Sequence, residues 1–204
     1  IVVAANRAPE EDWDGALDEV RRMIGVGELD AARDRLVGVL EPNLARATPR
    51  QRGRFHAIAA DWIGASQEAR AASVPENNLR IDEQYALAVE LGVSLDGERI
   101  ERWGRALVEL GRLDDARDRV VELEVLADTG RPEAARRRNR LLRMLVERSL
   151  RQADLPADAM IARLETYRQD PRLEDVDRAW AIDRQAALRI EEIAGGERRS
   201  EREA

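Results

Sequence analysis

Apolar residues recur along this chain at intervals of three and four, the period of a helix with one buried face. Trp13 to Val26 carries Ala16, Leu17, Val20, Met23 and Ile24 on one stripe, and Gly27 ends it. Leu29 to Leu40 repeats the pattern with Leu29, Ala32, Leu36, Val39 and Leu40, before Pro42 and Asn43 stop it. Thr48-Pro49-Arg50-Gln51 reads as a helix start: Thr48 caps, Pro49 fits the first turn and Gln51 completes a capping box. The helix predicted from there runs to about Gly64, with Phe55, Ile58, Ala59, Trp62 and Ile63 inward. Residues 65–75 are small and polar and read as an extended connection.

The same pattern predicts helices from Pro75 to Leu91, from Asp96 to Leu110, over residues 113–127, and from Pro132 to about Arg151. Two more follow, from Pro156 to Arg168 and from Leu173 to Ala194. The inward residues of the Pro75 helix are Leu79, Ile81, Tyr85, Ala88, Val89 and Leu91. No segment alternates with the period of two that marks a half-buried strand, so the fold class is all-α, with about nine helices. Residues 1–12 read as a lead-in trimmed from a longer protein, since the chain begins at Ile1 without Met. Residues 13–194 read as a single helical domain, and 195–204 as a charged flexible tail.

One phrase recurs. Gly27-Glu28-Leu29-Asp30-Ala31-Ala32-Arg33-Asp34-Arg35 is echoed by Gly111-Arg112-Leu113-Asp114-Asp115-Ala116-Arg117-Asp118-Arg119, and more loosely by Gly130-Arg131-Pro132-Glu133-Ala134-Ala135-Arg136. Each copy sets a glycine before an acidic, Ala-Arg helix opening, as a tight turn between antiparallel helices requires. The stretch from Ile100 to Leu123 resembles a tetratricopeptide repeat. Trp103 and Gly104 stand in its first helix, Gly111 at its turn, and Ala116, Val120 and Leu123 in its second helix. Gly27, Ala32, Leu36 and Val39 match the turn and second helix of an earlier copy. Ile81, Tyr85 and Ala88 resemble another second helix, and Leu164, Tyr167, Val176 and Trp180 a degenerate pair. The resemblance implies a right-handed α-α superhelix of antiparallel helix pairs, a solenoid whose concave face binds another protein or a peptide.

Composition narrows the function. The 204 residues include 34 Lys+Arg, every one an arginine, and 41 Asp+Glu, for a net charge of −7. That balance argues against nucleic acid and against anionic lipid as partners. Cysteine is absent, which removes disulfides, thiolate metal sites and a Cys nucleophile. No apolar stretch is long enough to span a membrane. His56 is the only histidine, and neither a metal site nor a catalytic triad assembles around it. The acidic pairs Asp114-Asp115 and Glu191-Glu192 read as helix-start charges and solvated faces. Arg136, Arg140 and Arg143 share a helical face and read as a salt-bridged surface. The four tryptophans, Trp13, Trp62, Trp103 and Trp180, read as core.

The expected function is therefore a protein-interaction scaffold, with no enzymatic role, no cofactor and no metal. By the phase of the resemblance, the partner-binding residues on the concave face are Glu98, Glu101, Arg105 and Glu109, with Arg54 and Asp61 from the earlier hairpin. The alternative is a structural homo-oligomerisation module. Its contact is a stripe on the last helix formed by Val176, Trp180, Ala187, Ile190 and Ala194.

Overall fold

The computed structural model describes residues 12–152 and 155–203, with side chains over 12–151 and 155–192. The predicted lead-in thus falls almost entirely outside the described residues. Among the described residues the protein is all-helical, with nine α-helices: α1 (Trp13–Gly25), α2 (Leu29–Arg35), α3 (Pro49–Ala69), α4 (Pro75–Glu90), α5 (Gly97–Glu109), α6 (Leu113–Asp128), α7 (Pro132–Gln152), α8 (Ala157–Arg168) and α9 (Asp175–Glu203). They form two compact units that divide between Leu110 and Gly111.

In the first unit, α1 begins where Asp12 accepts a hydrogen bond from the Gly15 amide (3.0 Å). Trp13, Ala16, Leu17 and Val20 bury its inner stripe against Ala32, Leu36, Leu40, Phe55 and Ile58. The Gly27 turn takes a positive φ of 80°, and its amide and that of Glu28 satisfy the last carbonyls of α1. That conformation strains any residue with a Cβ. Gly111 and Gly130, the glycines of the other two phrases, share it at 78° and 82°. The expected helix from Leu29 to Leu40 stays α only to Arg35, then widens into a π turn (Leu36–Leu40) and tightens into a 3-10 segment (Glu41–Arg46). Leu36 and Leu40 are both in the core, as their four-residue spacing predicts.

The Thr48 capping box forms as the sequence predicts: Thr48 Oγ1 accepts from the Gln51 amide (3.3 Å), and Gln51 Oε1 accepts from the Thr48 amide (3.0 Å). α3 does not stop at Gly64. It continues to Ala69, and the expected connection over 65–75 shrinks to a turn closed by Ala71 at φ 48°. Gln67 makes this possible, since its side chain bonds Asn78 and the Val74 amide and ties the end of α3 to the start of α4. α3 packs along α4, and α4 packs on α5. Gly53 is required at the first contact, because a Cβ there would lie 2.7 Å from Val93 Cγ2 and 3.0 Å from Leu91 Cβ. Leu79 and Val89, expected inward, are 48% and 47% exposed. The buried side of α4 is instead Asn78, Ile81, Asp82, Tyr85 and Ala88.

In the second unit, α6 pairs with α7 and α8 with α9. The core over the last pair is Leu150, Leu164, Tyr167, Leu173, Ala181 and Leu188. Arg138 is buried, with its charge met by Asp170 at 2.5 Å, and Asn139 donates to the Arg172 carbonyl (3.0 Å). The unit boundary at Gly111 puts α5 and α6, the two helices of the best-matched repeat, in different units. The backbone of α9 is helical across Gly195 and Gly196 to Glu203, where the sequence reading expected a flexible tail. Trp13 and Trp103 are buried core as expected, while Trp62 and Trp180 are partly buried at core edges. No described helix is long and apolar enough to cross a membrane.

Candidate functional site

A polar cluster forms where α3, α4 and α5 meet, and Asp61 is its centre. Asp61 lies on the buried side of α3, at 8% exposure, facing Tyr85 of α4 and Arg99 and Arg102 of α5. A carboxylate at such a position needs its lone pairs met, because burying an unpaired charge is costly. Four donors meet it. Tyr85 Oη donates to Asp61 Oδ1 at 2.7 Å and Arg102 Nη1 to the same oxygen at 3.0 Å. Arg99 donates to Oδ2 twice, from Nε at 3.0 Å and Nη2 at 2.7 Å. This forked contact fixes the guanidinium plane as well as its distance.

The neighbouring groups hold the cluster rigid. Arg102 reaches back one turn to Glu98 (3.0 Å). Its aliphatic stem crosses α3 at Gly64, where a Cβ would sit 2.3 Å from Arg102 Cδ. Asp96 caps α5 by accepting from the Arg99 amide (3.0 Å). Burial, reinforced by the negative charge of Asp61, pushes the Tyr85 hydroxyl well above its usual pKa. Burial works against the charge of Arg99, but the hydrogen bonds and charge of Asp61 more than offset it, so that guanidinium is held protonated more strongly than in water. The cluster is thus a fixed set of charges with the phenol kept neutral.

A cleft of about 190 Å³ opens over this floor, lined by Arg21, Ile24 and Gly25 from the end of α1, by Asp61, and by Asp96, Glu98, Arg99 and Arg102. Its rim offers both kinds of hydrogen-bonding group. Arg21 makes no ion pair among the described residues, and Asp96 and Glu98 supply acceptors. Ile24 and Gly25 give it one apolar wall.

Of the six residues that the sequence assigns to a partner-binding face, this cleft brings together Asp61 and Glu98. Arg54 is elsewhere, paired with Asp14 and, at 2.6 Å, with Asp18, where it fastens α3 to α1. Glu101 is buried at 6% exposure, so its carboxylate is part of the interior and not of an open face. Arg105 pairs with Glu68 (3.4 Å), and Glu109 is exposed outside the cleft lining. The sequence reading missed Arg99, Arg102, Asp96, Arg21 and the hydroxyl of Tyr85. Tyr85 carried a usable signal: a tyrosine at a core position needs a partner for its hydroxyl.

Val176, Trp180, Ala187 and Ile190 of the stripe expected on the last helix lie along one side of α9 but differ in exposure, and Ala187 is partly buried. Ala181 and Leu188 are buried, Trp180 is half-buried with Arg143 stacked at 4.6 Å from its ring centroid, and Val176 and Ile190 are exposed. The side chain of Ala194 lies outside the described residues. Beside Trp180 a second cleft of about 260 Å³ is lined by Glu147, Leu150, Arg151, Trp180 and Arg184. His56 Nδ1 is hydrogen-bonded to Gln84 Oε1 at 2.8 Å. The Arg136 face is ion-paired, through Glu133 at 3.2 Å and Glu174 at 3.6 Å. Among the described residues no group of three His, Cys, Asp or Glu side chains is placed to hold a metal ion. Compared with known proteins, the chain matches no family model, no curated protein and no solved structure.

Proposed function

We propose that this chain is a protein-interaction module, with units built from helix pairs of the tetratricopeptide type, and that the cleft over Asp61 takes an extended peptide segment of a partner protein. The packing of α3 on α4 in the first unit and of α6 on α7 and α8 on α9 in the second supports a reading in helix pairs, although α5 and α6, on which the resemblance is strongest, are not one of these pairs. The cleft floor is the observation that carries the binding role. Asp61, Tyr85, Arg99 and Arg102 satisfy one another at 2.7–3.0 Å through the bonds described above. The rim charges need no rearrangement to receive a ligand, and preorganised groups bind at lower entropic cost. An extended peptide presents N–H and C=O groups in alternation, which matches a rim of mixed donors and acceptors beside an apolar wall. The site is read as one that binds rather than transforms. Its central carboxylate is neutralised by two guanidinium groups, and the histidine is engaged elsewhere.

The test is site-directed photo-crosslinking in lysate of the source cell. A photoreactive residue replacing Arg21, on the rim, should capture a discrete partner peptide; one replacing Arg163, on the exposed side of α8, should not. Adding Glu98→Arg should abolish capture from the rim. Equal capture from both positions, or capture indifferent to Glu98→Arg, contradicts the assignment.

A further inference from the structure

The cleft beside Trp180 lies wholly within the second unit, between the C-terminal turns of α7 and α9. Its walls are of two kinds. Buried Leu150 and the partly buried indole of Trp180 form an apolar side. The indole is held in place by Tyr167, edge to face at 5.5 Å, and by Arg143 stacked on its ring. It presents a surface that need not be ordered when a ligand arrives.

The charged side is unbalanced. Glu147 supplies the one carboxylate of the lining, and both its oxygens already face guanidinium groups. Oε1 meets Arg143 Nε at 3.4 Å, and Oε2 meets Arg151 Nη2 at 4.0 Å. The second contact is too long for a hydrogen bond, and the Arg151 side chain is 73% exposed, so its donors remain available. Arg184, on the α9 side, is exposed and forms no ion pair among the described residues. Two guanidinium groups thus line the cleft against one carboxylate that is shared with a third, a local surplus of positive charge in a chain whose net charge is −7.

A ligand that matches these walls carries one negative charge beside an apolar body. A cation finds no uncommitted carboxylate in the lining. Inorganic phosphate would leave Leu150 and Trp180 unused and set its second charge against Glu147. A carboxylate suits the planar fork of arginine, and an aromatic ring suits the indole. The cleft volume of about 260 Å³ lies below the roughly 300 Å³ at which sites for drug-sized molecules begin. One ring with its carboxylate fills it.

We propose that this cleft binds a small aromatic carboxylate, with the ring against Trp180 and Leu150 and the carboxylate between Arg151 and Arg184. The site is separate from the cleft over Asp61 and does not depend on the peptide reading of that cleft.

Calorimetric titration of the full chain with phenylacetate tests the proposal. Binding should be saturable in the millimolar range. Phenylacetamide, which keeps the ring and lacks the charge, and acetate, which keeps the charge and lacks the ring, should each bind at least about tenfold more weakly. Arg184→Gln should weaken phenylacetate binding by roughly tenfold, and Arg184→Lys, which keeps the charge without the fork, by less. Both variants should melt like the wild type, because Arg184 is exposed and holds no partner in the fold. Arg21→Glu, at the other cleft, should bind phenylacetate like the wild type. Absence of saturable binding overturns the proposal, as does an Arg184→Gln protein that binds phenylacetate unchanged. Phenylacetamide binding as well as phenylacetate overturns it too. Inorganic phosphate binding as well would mean an adventitious ion only. A pentapeptide Gly-Gly-Ser-Gly-Phe with a free C-terminus, bound more than about tenfold more tightly than phenylacetate, would assign the cleft to the end of a polypeptide and overturn the small-molecule reading.

Discussion

Asp61 shows how strongly one side chain can depend on its neighbours. It is held by two arginines whose side chains are themselves only 14% and 15% exposed. Asp61→Ala would leave Arg99 without its carboxylate and Arg102 with Glu98 alone, and breaking a buried pair in this way costs about 3–5 kcal/mol. Tyr85→Phe removes one neutral donor and leaves the ion pairs in place, so it should cost only about 1 kcal/mol. Urea denaturation measures both, and similar losses for the two variants would mean that Asp61 is not the centre of the cluster.

Asp177 presents the opposite case. Its carboxyl is buried and its pKa is raised, chiefly by burial, with Arg143 opposing the shift and Glu174 adding to it. A raised carboxyl pKa means that the folded state favours the protonated form. Its contribution to stability is full below the unfolded pKa and is lost as pH rises through the folded pKa. Asp177→Asn should therefore raise the melting temperature at neutral pH, and the gain should vanish as pH falls through the carboxylate range. A gain that persists in acid would assign the effect to packing instead.

At the scale of the elements, apolar periodicity locates all nine described helices, most to within two residues, because each has one buried stripe. The failures have local causes. α3 runs past its predicted end because Gln67 bonds across to α4, a contact between residues that sequence spacing does not relate. The π turn at Leu36–Leu40 left no mark on the apolar spacing, since residues four apart share a face in the α-helix as well. Leu79 and Val89 face solvent because α4 turns its polar Asn78 and Asp82 inward, where Asp82 accepts from Trp103 Nε1 at 2.8 Å. The site was less legible than the helices. Asp61 and Glu98 were named through the phase of the tetratricopeptide resemblance, while Arg99 and Arg102 join the cluster only through a carboxylate 38 and 41 residues away. Thr48→Ala should cost about 1 kcal/mol by removing the cap of α3. Gly64→Ala should cost more than a surface substitution, because it displaces the anchored Arg102. Thermal melting of the two variants checks this, and an unperturbed Gly64→Ala protein would mean that Arg102 has room to shift.

For the molecule as a whole, the charge pattern separates stability from recognition. Many of its ion pairs are exposed contacts within one helix, such as Arg112–Asp115, Arg136–Glu133 and Arg168–Glu165. Such pairs contribute little each, and salt screens them. Melting temperatures at low and high salt should therefore agree to within roughly 2–4 °C, the shift that 1 kcal/mol produces at this chain length.

If the cleft over Asp61 takes a partner segment, as proposed above, variants of its rim and of its floor must differ in their effects. Partner binding and melting temperature should be measured together for Arg21→Glu, at the exposed rim, and Asp61→Asn, at the floor. The rim variant should lose the partner at an unchanged melting temperature, while the floor variant should lose both. A rim variant that binds like the wild type would contradict it.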